Sequence, residues 1–266
     1  MLSTDWIDCH FHVFRRPRDA APRTRYTPPY GSDFASWHDA VPSPWPRRGV
    51  LVQTSFLGTD NTELLTELQA HPQTLRGVAV IDPLHGADGL DALHRAGVRG
   101  IRLNLAGATG HDLDAARLPG SLADALALRG WNVELHTDSG MLPGVLAGID
   151  PRLTVVLDHF GRPAGTHAAD AAFRAVVDRL AGGGAPVHVK LSAAYRLGGL
   201  DPRTLARRWR DLLGSRRLLW GSDWPCTNHE RQADYPALLG ALEGWLADPA
   251  ERRQVLLDNP LALYWR

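Results

Sequence analysis

The chain has 266 residues, and its 29 Lys and Arg balance 29 Asp and Glu, so the formal net charge is zero. With no basic stripe, no acidic tail and no bilayer-length apolar run, binding to nucleic acid or membrane is not expected. Only Cys9 and Cys226 are present, which excludes a disulfide framework and fits a cytoplasmic protein with reduced thiols.

The first strand is expected over residues 6–12. Side chains alternate across a strand, so His10 and His12 project from one face, with Asp8 beside them. Residues 14–48 carry Pro17, Pro22, Pro28, Pro29, Pro42, Pro44 and Pro46 and show no periodicity. A long loop over the functional face is expected there. Further strands are predicted at 49–53, 77–81, 100–104, 131–137, 153–159, 186–192 and 217–223. Helical patterns separate them. Residues 60–70 open on Asp60 and Glu63, and 121–129 on Ser121 and Asp124. Asp201-Pro202 and Asp248-Pro249 each place a cap before a proline at the first helical position.

Alternation of eight strands with helices implies parallel strands and right-handed crossovers. The expected fold is a single (β/α)8 TIM barrel over residues 1–266, with chemistry at the C-terminal strand ends. An open doubly wound sheet usually has a Gly-rich turn after its first strand, and none is present.

Ligand-type and acid–base residues gather at those strand ends. Strand one ends in His10 and His12, strand five in His136, strand six in Asp158-His159 and strand eight in Asp223. Three His and one Asp can hold a catalytic divalent metal with a site left for water. Alternation also turns Arg102, Asn104, Glu134, His188, Lys190 and Ser192 toward the barrel axis. Buried charges need partners, so Glu134 is expected to pair with Lys190 or Arg102. The alternative for Arg102 is anion binding.

Five motifs carry a resemblance. They are Asp8-Cys9-His10-Phe11-His12-Val13-Phe14, Ala96-Gly97-Val98-Arg99-Gly100-Ile101-Arg102-Leu103-Asn104, Asp158-His159-Phe160-Gly161-Arg162-Pro163, Trp220-Gly221-Ser222-Asp223-Trp224-Pro225 and Asp258-Asn259-Pro260-Leu261-Ala262-Leu263-Tyr264-Trp265. Together they resemble the amidohydrolase superfamily, in the branch of 2-pyrone-4,6-dicarboxylate lactonases and related sugar and muconolactone lactonases. The resemblance implies a TIM barrel that hydrolyses a small anionic lactone. It implies His10, His12 and His159 at the lactone carbonyl and Asp223 as general base. Arg102, Arg162 and Tyr26 would match groups that hold substrate carboxylates, and Arg196 a further anion contact.

Two positions depart from the pyrone enzymes. Ala106-Gly107-Ala108 stands where they carry Lys-Arg, and His136 where they carry Tyr. The pyrone enzymes work without metal, whereas His136 restores the fifth-strand histidine of metal-using relatives. One divalent ion, zinc, is therefore expected on His10, His12, His136 and Asp223, with a metal-independent route as the alternative. A metal-dependent decarboxylase and a non-catalytic small-ligand binder are the competing functions. A homo-oligomer stays open.

Overall fold

The computed structural model describes residues 6–16, 26–42, 47–83, 87–106, 116–232 and 234–266. Eight parallel strands pair in chain order among them: β1 (Trp6–Phe11), β2 (Arg47–Val52), β3 (Leu75–Ala79), β4 (Val98–Asn104), β5 (Asn132–His136), β6 (Val155–Leu157), β7 (Val187–Ser192) and β8 (Leu218–Gly221). Ten helices accompany them: α1 (Phe34–Ala40), α2 (Thr62–Ala70), α3 (Leu90–Arg95), α4 (Gly120–Leu128), α5 (Leu142–Gly148), α6 (Thr166–Ala181), α7 (Pro202–Leu213), α8 (Tyr235–Trp245), α9 (Pro249–Arg253) and α10 (Asn259–Tyr264). The expected TIM barrel is formed. No helix among the described residues is long and apolar enough to cross a membrane.

The ring closes just beyond β8. Asp223 N donates to His10 O at 2.8 Å, and His12 N donates to Trp224 O at 2.8 Å. These bonds tie the backbone of the His-x-His to that of Asp223. Gly221 permits the approach. A Cβ there would lie 2.5 Å from His10 Cβ and 2.9 Å from His10 N, so no side chain fits.

Alternation holds on β4, β5 and β7. Val133, Leu135, Val189 and Leu191 pack outward against the helices, while Arg102, Glu134, His136, Lys190 and Ser192 turn inward. It fails on β1. The β1–β2 register shifts between Asp8 and Phe11, as at a bulge. A bulge leaves one extra residue and resets which face follows. Asp8 therefore does not share the face of His10 and His12. Its carboxylate accepts from Trp37 Nε1 (3.1 Å), Tyr235 Oη (2.7 Å), Ser222 Oγ (2.6 Å) and two backbone amides, outside the barrel. It locks β1 to β8, α1 and α8.

The interior is layered. Ile7, Cys9, Val50, Val52, Val78, Val156 and Leu219 form an apolar layer, on which Leu257, Leu263 and Tyr264 pack from the C-terminal segment. Polar groups that penetrate this layer are paired. Lys190 Nζ lies 2.5 Å from Glu134 Oε2, and Tyr264 Oη donates to Glu134 Oε1 at 2.6 Å. The pairing expected for Glu134 is thus with Lys190. Removing one partner from such a buried pair typically costs about 3–5 kcal/mol.

The segment between β1 and β2 is less featureless than expected. Asp33 caps α1 by accepting from Ser36 N at 2.8 Å, and Ser36 Oγ accepts from Asp33 N at 3.1 Å. This capping box spans Asp33-x-x-Ser36. The rest of the expected loop, 17–25 and 43–46, lies outside the described residues. Asp201 and Asp248 cap α7 and α9 as expected, each accepting from backbone amides of the first turn. Asp60 falls one residue before the N-cap Asn61, and α4 starts without a side-chain cap.

His188 sits low in the barrel, 6% exposed, with Arg217 Nη1 donating to its Nε2 at 3.3 Å. Burial first, then Arg217 and Arg266, pushes it down to about 3 from 6.5. The unfolded chain protonates this histidine below pH 6.5, while the folded state leaves it neutral until about pH 3. Stability then falls as pH drops through that window, by up to about 2 kcal/mol for this group between pH 6.5 and about pH 5. His188→Gln is expected to flatten the fall in Tm between pH 7 and about pH 5, measured by thermal unfolding. An unchanged slope would place the pH dependence elsewhere.

Candidate active site

Asp223 occupies the centre of the C-terminal mouth, in left-handed backbone conformation at φ 62°. Its Oδ2 accepts from Tyr195 Oη at 2.7 Å and Arg196 Nε at 3.0 Å. Its Oδ1 faces three imidazoles: His12 Nε2 at 3.3 Å, His10 Nε2 at 3.5 Å and His159 Nε2 at 3.7 Å. Burial pushes its pKa up, but Arg196, His159 and the His12 hydrogen bond outweigh it and hold it well below the usual carboxylate range. Asp223 is therefore an oriented carboxylate, with one oxygen anchored and the other directed at the imidazoles.

Backbone strain concentrates at the same strand ends. His159, Phe160, Arg162, Ala193, Asp223, Cys226 and Asn228 all have positive φ, which costs about 1–3 kcal/mol for a non-glycine residue. The tertiary bonds that hold them also aim their side chains.

Each histidine is fixed by its other nitrogen. Val52 O lies 2.7 Å from His12 Nδ1 and can only accept, so that nitrogen carries a proton. Its Nε2 lies 3.3 Å from Asp223 Oδ1, at hydrogen-bond distance. Ser192 Oγ lies 2.9 Å from His159 Nδ1. Burial drives His159 down to about 3, against the pull of Asp223 and Asp158, so it is neutral at ordinary pH. Burial also lowers His10 and His136.

A cavity of about 300 Å3 opens above this floor. His12, His136, His159 and Asp223 line it together with Tyr26, Arg102, Arg162 and Arg196. Three arginines against one carboxylate make it cationic. Their present partners differ. Arg102 Nε and Nη2 clamp Asp158 Oδ2 at 3.0 and 2.9 Å, and Nη1 donates to Gln53 O at 3.2 Å. Arg102 thus pairs with Asp158 and not with Glu134. Arg196 joins Asp223 to Thr227 O (2.9 Å), so it braces the carboxylate. Arg162 is held by His136 Nε2 at 2.7 Å and Asp138 Oδ1 at 3.2 Å. Tyr26 Oη donates to Glu230 Oε1 at 3.2 Å, beside Tyr30 Oη at 2.5 Å on the same oxygen.

Two groups have metal-ligand spacing among the described residues: His10, His12 and Asp223, and His10, Asp158 and His159, each with ligand atoms within 4.8 Å. His136 belongs to neither. Its Nε2 lone pair already receives the Arg162 guanidinium. Three of the four residues expected from the sequence to hold a divalent ion, His10, His12 and Asp223, have the spacing for one, and His136 stands outside them. Tyr195 and Ser192 are contributors that the motifs did not single out, whereas Asp158 stood in them beside His159 without a role of its own. Ser192 was visible as an inward position on β7, and Tyr195 only as the neighbour of Arg196.

The sequence pattern of the family described as amidohydrolase matches residues 7–266. The chain belongs to the amidohydrolase family. This amidohydrolase is 30% identical over 277 residues to a 2-pyrone-4,6-dicarboxylate hydrolase of Comamonas testosteroni, covering 97% of this chain and 90% of that protein. It is 28% identical over 273 residues to a 4-sulfomuconolactone hydrolase of Hydrogenophaga intermedia, covering 97% and 88%. A Pseudomonas putida structure provisionally assigned as a 2-pyrone-4,6-dicarboxylic acid hydrolase superposes with a TM-score of 0.84 at 35% identity, covering 99% and 98%. A 5-carboxyvanillate decarboxylase of Sphingomonas paucimobilis shares the fold at 13% identity and a TM-score of 0.59, covering 99% of both chains.

Proposed function

We propose that this amidohydrolase opens the ring of a small lactone bearing a carboxylate, by attack of water on the lactone carbonyl. The observation that carries the reading is Asp223 Oδ1, set within 3.7 Å of three imidazole nitrogens on the floor of a cationic cavity. The relatives named as lactone hydrolases support the reaction class.

In this reading the attacking water donates to Asp223 Oδ1. Its lone pair is then left for the carbonyl carbon. Asp223 takes the proton as the C–O bond forms and returns it to the leaving ring oxygen when the C–O ester bond breaks. With Ser192 Oγ donating to His159 Nδ1, His159 carries its proton at Nε2 and donates to the carbonyl oxygen as charge develops there. His10 does not line the cavity, and its Nε2 faces Asp223 Oδ1 from beneath. Tyr195 and Arg196 hold Asp223 ionised and aimed.

Arg162, its side chain 19% exposed and reaching the cavity, is the group best placed to meet a substrate carboxylate, with Arg102 and Tyr26 beside it. Exchanging His136 for a substrate carboxylate would give Arg162 a second charged partner beside Asp138, and a guanidinium fork suits that geometry. The test is a panel of five- and six-membered lactones with and without a ring carboxylate. The acidic members are expected to be hydrolysed, and carbon dioxide release in place of ring opening would turn the reading to decarboxylation. Arg162→Ala is expected to raise KM for an acidic lactone about 10–100-fold with a smaller change in kcat. An unchanged KM would remove Arg162 from the binding set. Turnover is expected to survive exhaustive chelation, measured with metal content assayed in parallel. Loss on chelation and return with zinc would restore the metal route.

A further inference from the structure

Beneath the site lies Lys190, the only lysine of the chain and fully buried. Its ammonium has three protons and three neighbours: Glu134 Oε2 at 2.5 Å, His10 Nδ1 at 3.1 Å and Asp158 Oδ1 at 3.4 Å. Burial pulls its pKa down, but Glu134 and Asp158 outweigh burial and keep it raised, so the group is a cation. An ammonium donates and cannot accept. We infer that Lys190 is a positioning residue that sets the tautomer of His10, holding the lone pair on Nδ1 and the proton on Nε2.

The competing arrangement has His10 Nδ1 donating to Asp158 Oδ1. That contact is 3.3 Å and makes no hydrogen bond of acceptable geometry, and Asp158 Oδ1 is left without a hydrogen-bond partner. Asp158 is instead held through Oδ2 by Arg102. The two imidazoles of the His-x-His thus play opposite roles at Nδ1: His12 donates from Nδ1 to Val52 O, while His10 accepts there from Lys190. Their rings stand perpendicular with centroids 4.9 Å apart, so the two Nε2 atoms approach Asp223 Oδ1 from two directions. The Lys190 contact fixes His10 Nε2 as a donor toward that oxygen. It also leaves His10 no lone pair with which to bind a cation from the cavity.

The inference rests on the proposed site for its consequence, but its test needs no substrate. Histidine-selective 15N spectra of the wild-type protein, with His10 assigned by comparison with His10→Gln, report which ring nitrogen is protonated. Nδ1 of His10 is expected unprotonated and Nε2 protonated, with His12 Nδ1 protonated. A protonated His10 Nδ1 would overturn the inference even if lactones are turned over. The double variant Lys190→Met/Glu134→Gln removes the donor without stranding a buried carboxylate. In it His10 is expected to switch tautomer, with Nδ1–H turned to Asp158, and zinc affinity by calorimetry to rise about 10–100-fold. A folded double variant with unchanged tautomer and zinc affinity would reduce Lys190 to a packing role. If the double variant does not fold, the wild-type spectrum alone decides.

Discussion

Asp223→Asn is expected to lower kcat/KM for the lactone substrate by about 10²–10⁴-fold, the range lost when a positioned general base is removed. The change is isosteric, and the seam bond from the backbone of residue 223 to His10 O does not involve the side chain. The variant amide keeps one oxygen for Tyr195 and Arg196 and turns an NH2 toward the imidazoles, where no proton can be taken up. Arg196, with its side chain 18% exposed, loses its ionic partner, so some stability is lost as well. The measurement is steady-state kinetics beside a thermal melt. A folded variant with near-normal kcat would reject Asp223 as the base and would leave the oriented carboxylate without a chemical role.

The second large effect is expected at His159. His159→Gln removes the Nε2 donor proposed for the developing oxyanion and is expected to lower kcat by about 10²–10³-fold, roughly 3–4 kcal/mol, with KM little changed. The loss should fall on kcat because the donor acts on charge that exists only in the transition state. Ser192 Oγ, 2.9 Å from Nδ1, holds the ring in register with that task. A variant whose KM rises while kcat stands would move His159 from the carbonyl to substrate binding.

The barrel was legible because strand alternation and helix capping are local properties. All eight strands, the caps at Asp201 and Asp248 and the inward set on β4, β5 and β7 follow from spacing alone. The bulge in β1 was not legible. It depends on how β1 pairs with β2, and it moved Asp8 from the site to the outer face. The meeting of His10, His12, His159 and Asp223 at one locus was readable in outline, because strands of one barrel deliver their C-terminal ends to one mouth.

Partner choice was not readable. Arg102 had Glu134 and a substrate anion as candidates, and its actual partner, Asp158, follows from the depth of each side chain in the ring. His136 has the identity of a metal ligand and the position of an acceptor for Arg162. Arg196 reads as an anion contact and serves as a brace for Asp223. By itself the order of residues determined the fold, the mouth and the types of group that line it, since these rest on period and on strand ends. Only the tertiary structure decided which lone pair faces which proton. Hydrogen bonds are short and directional, and they link residues as far apart as Lys190 and His10 only once the ring has closed.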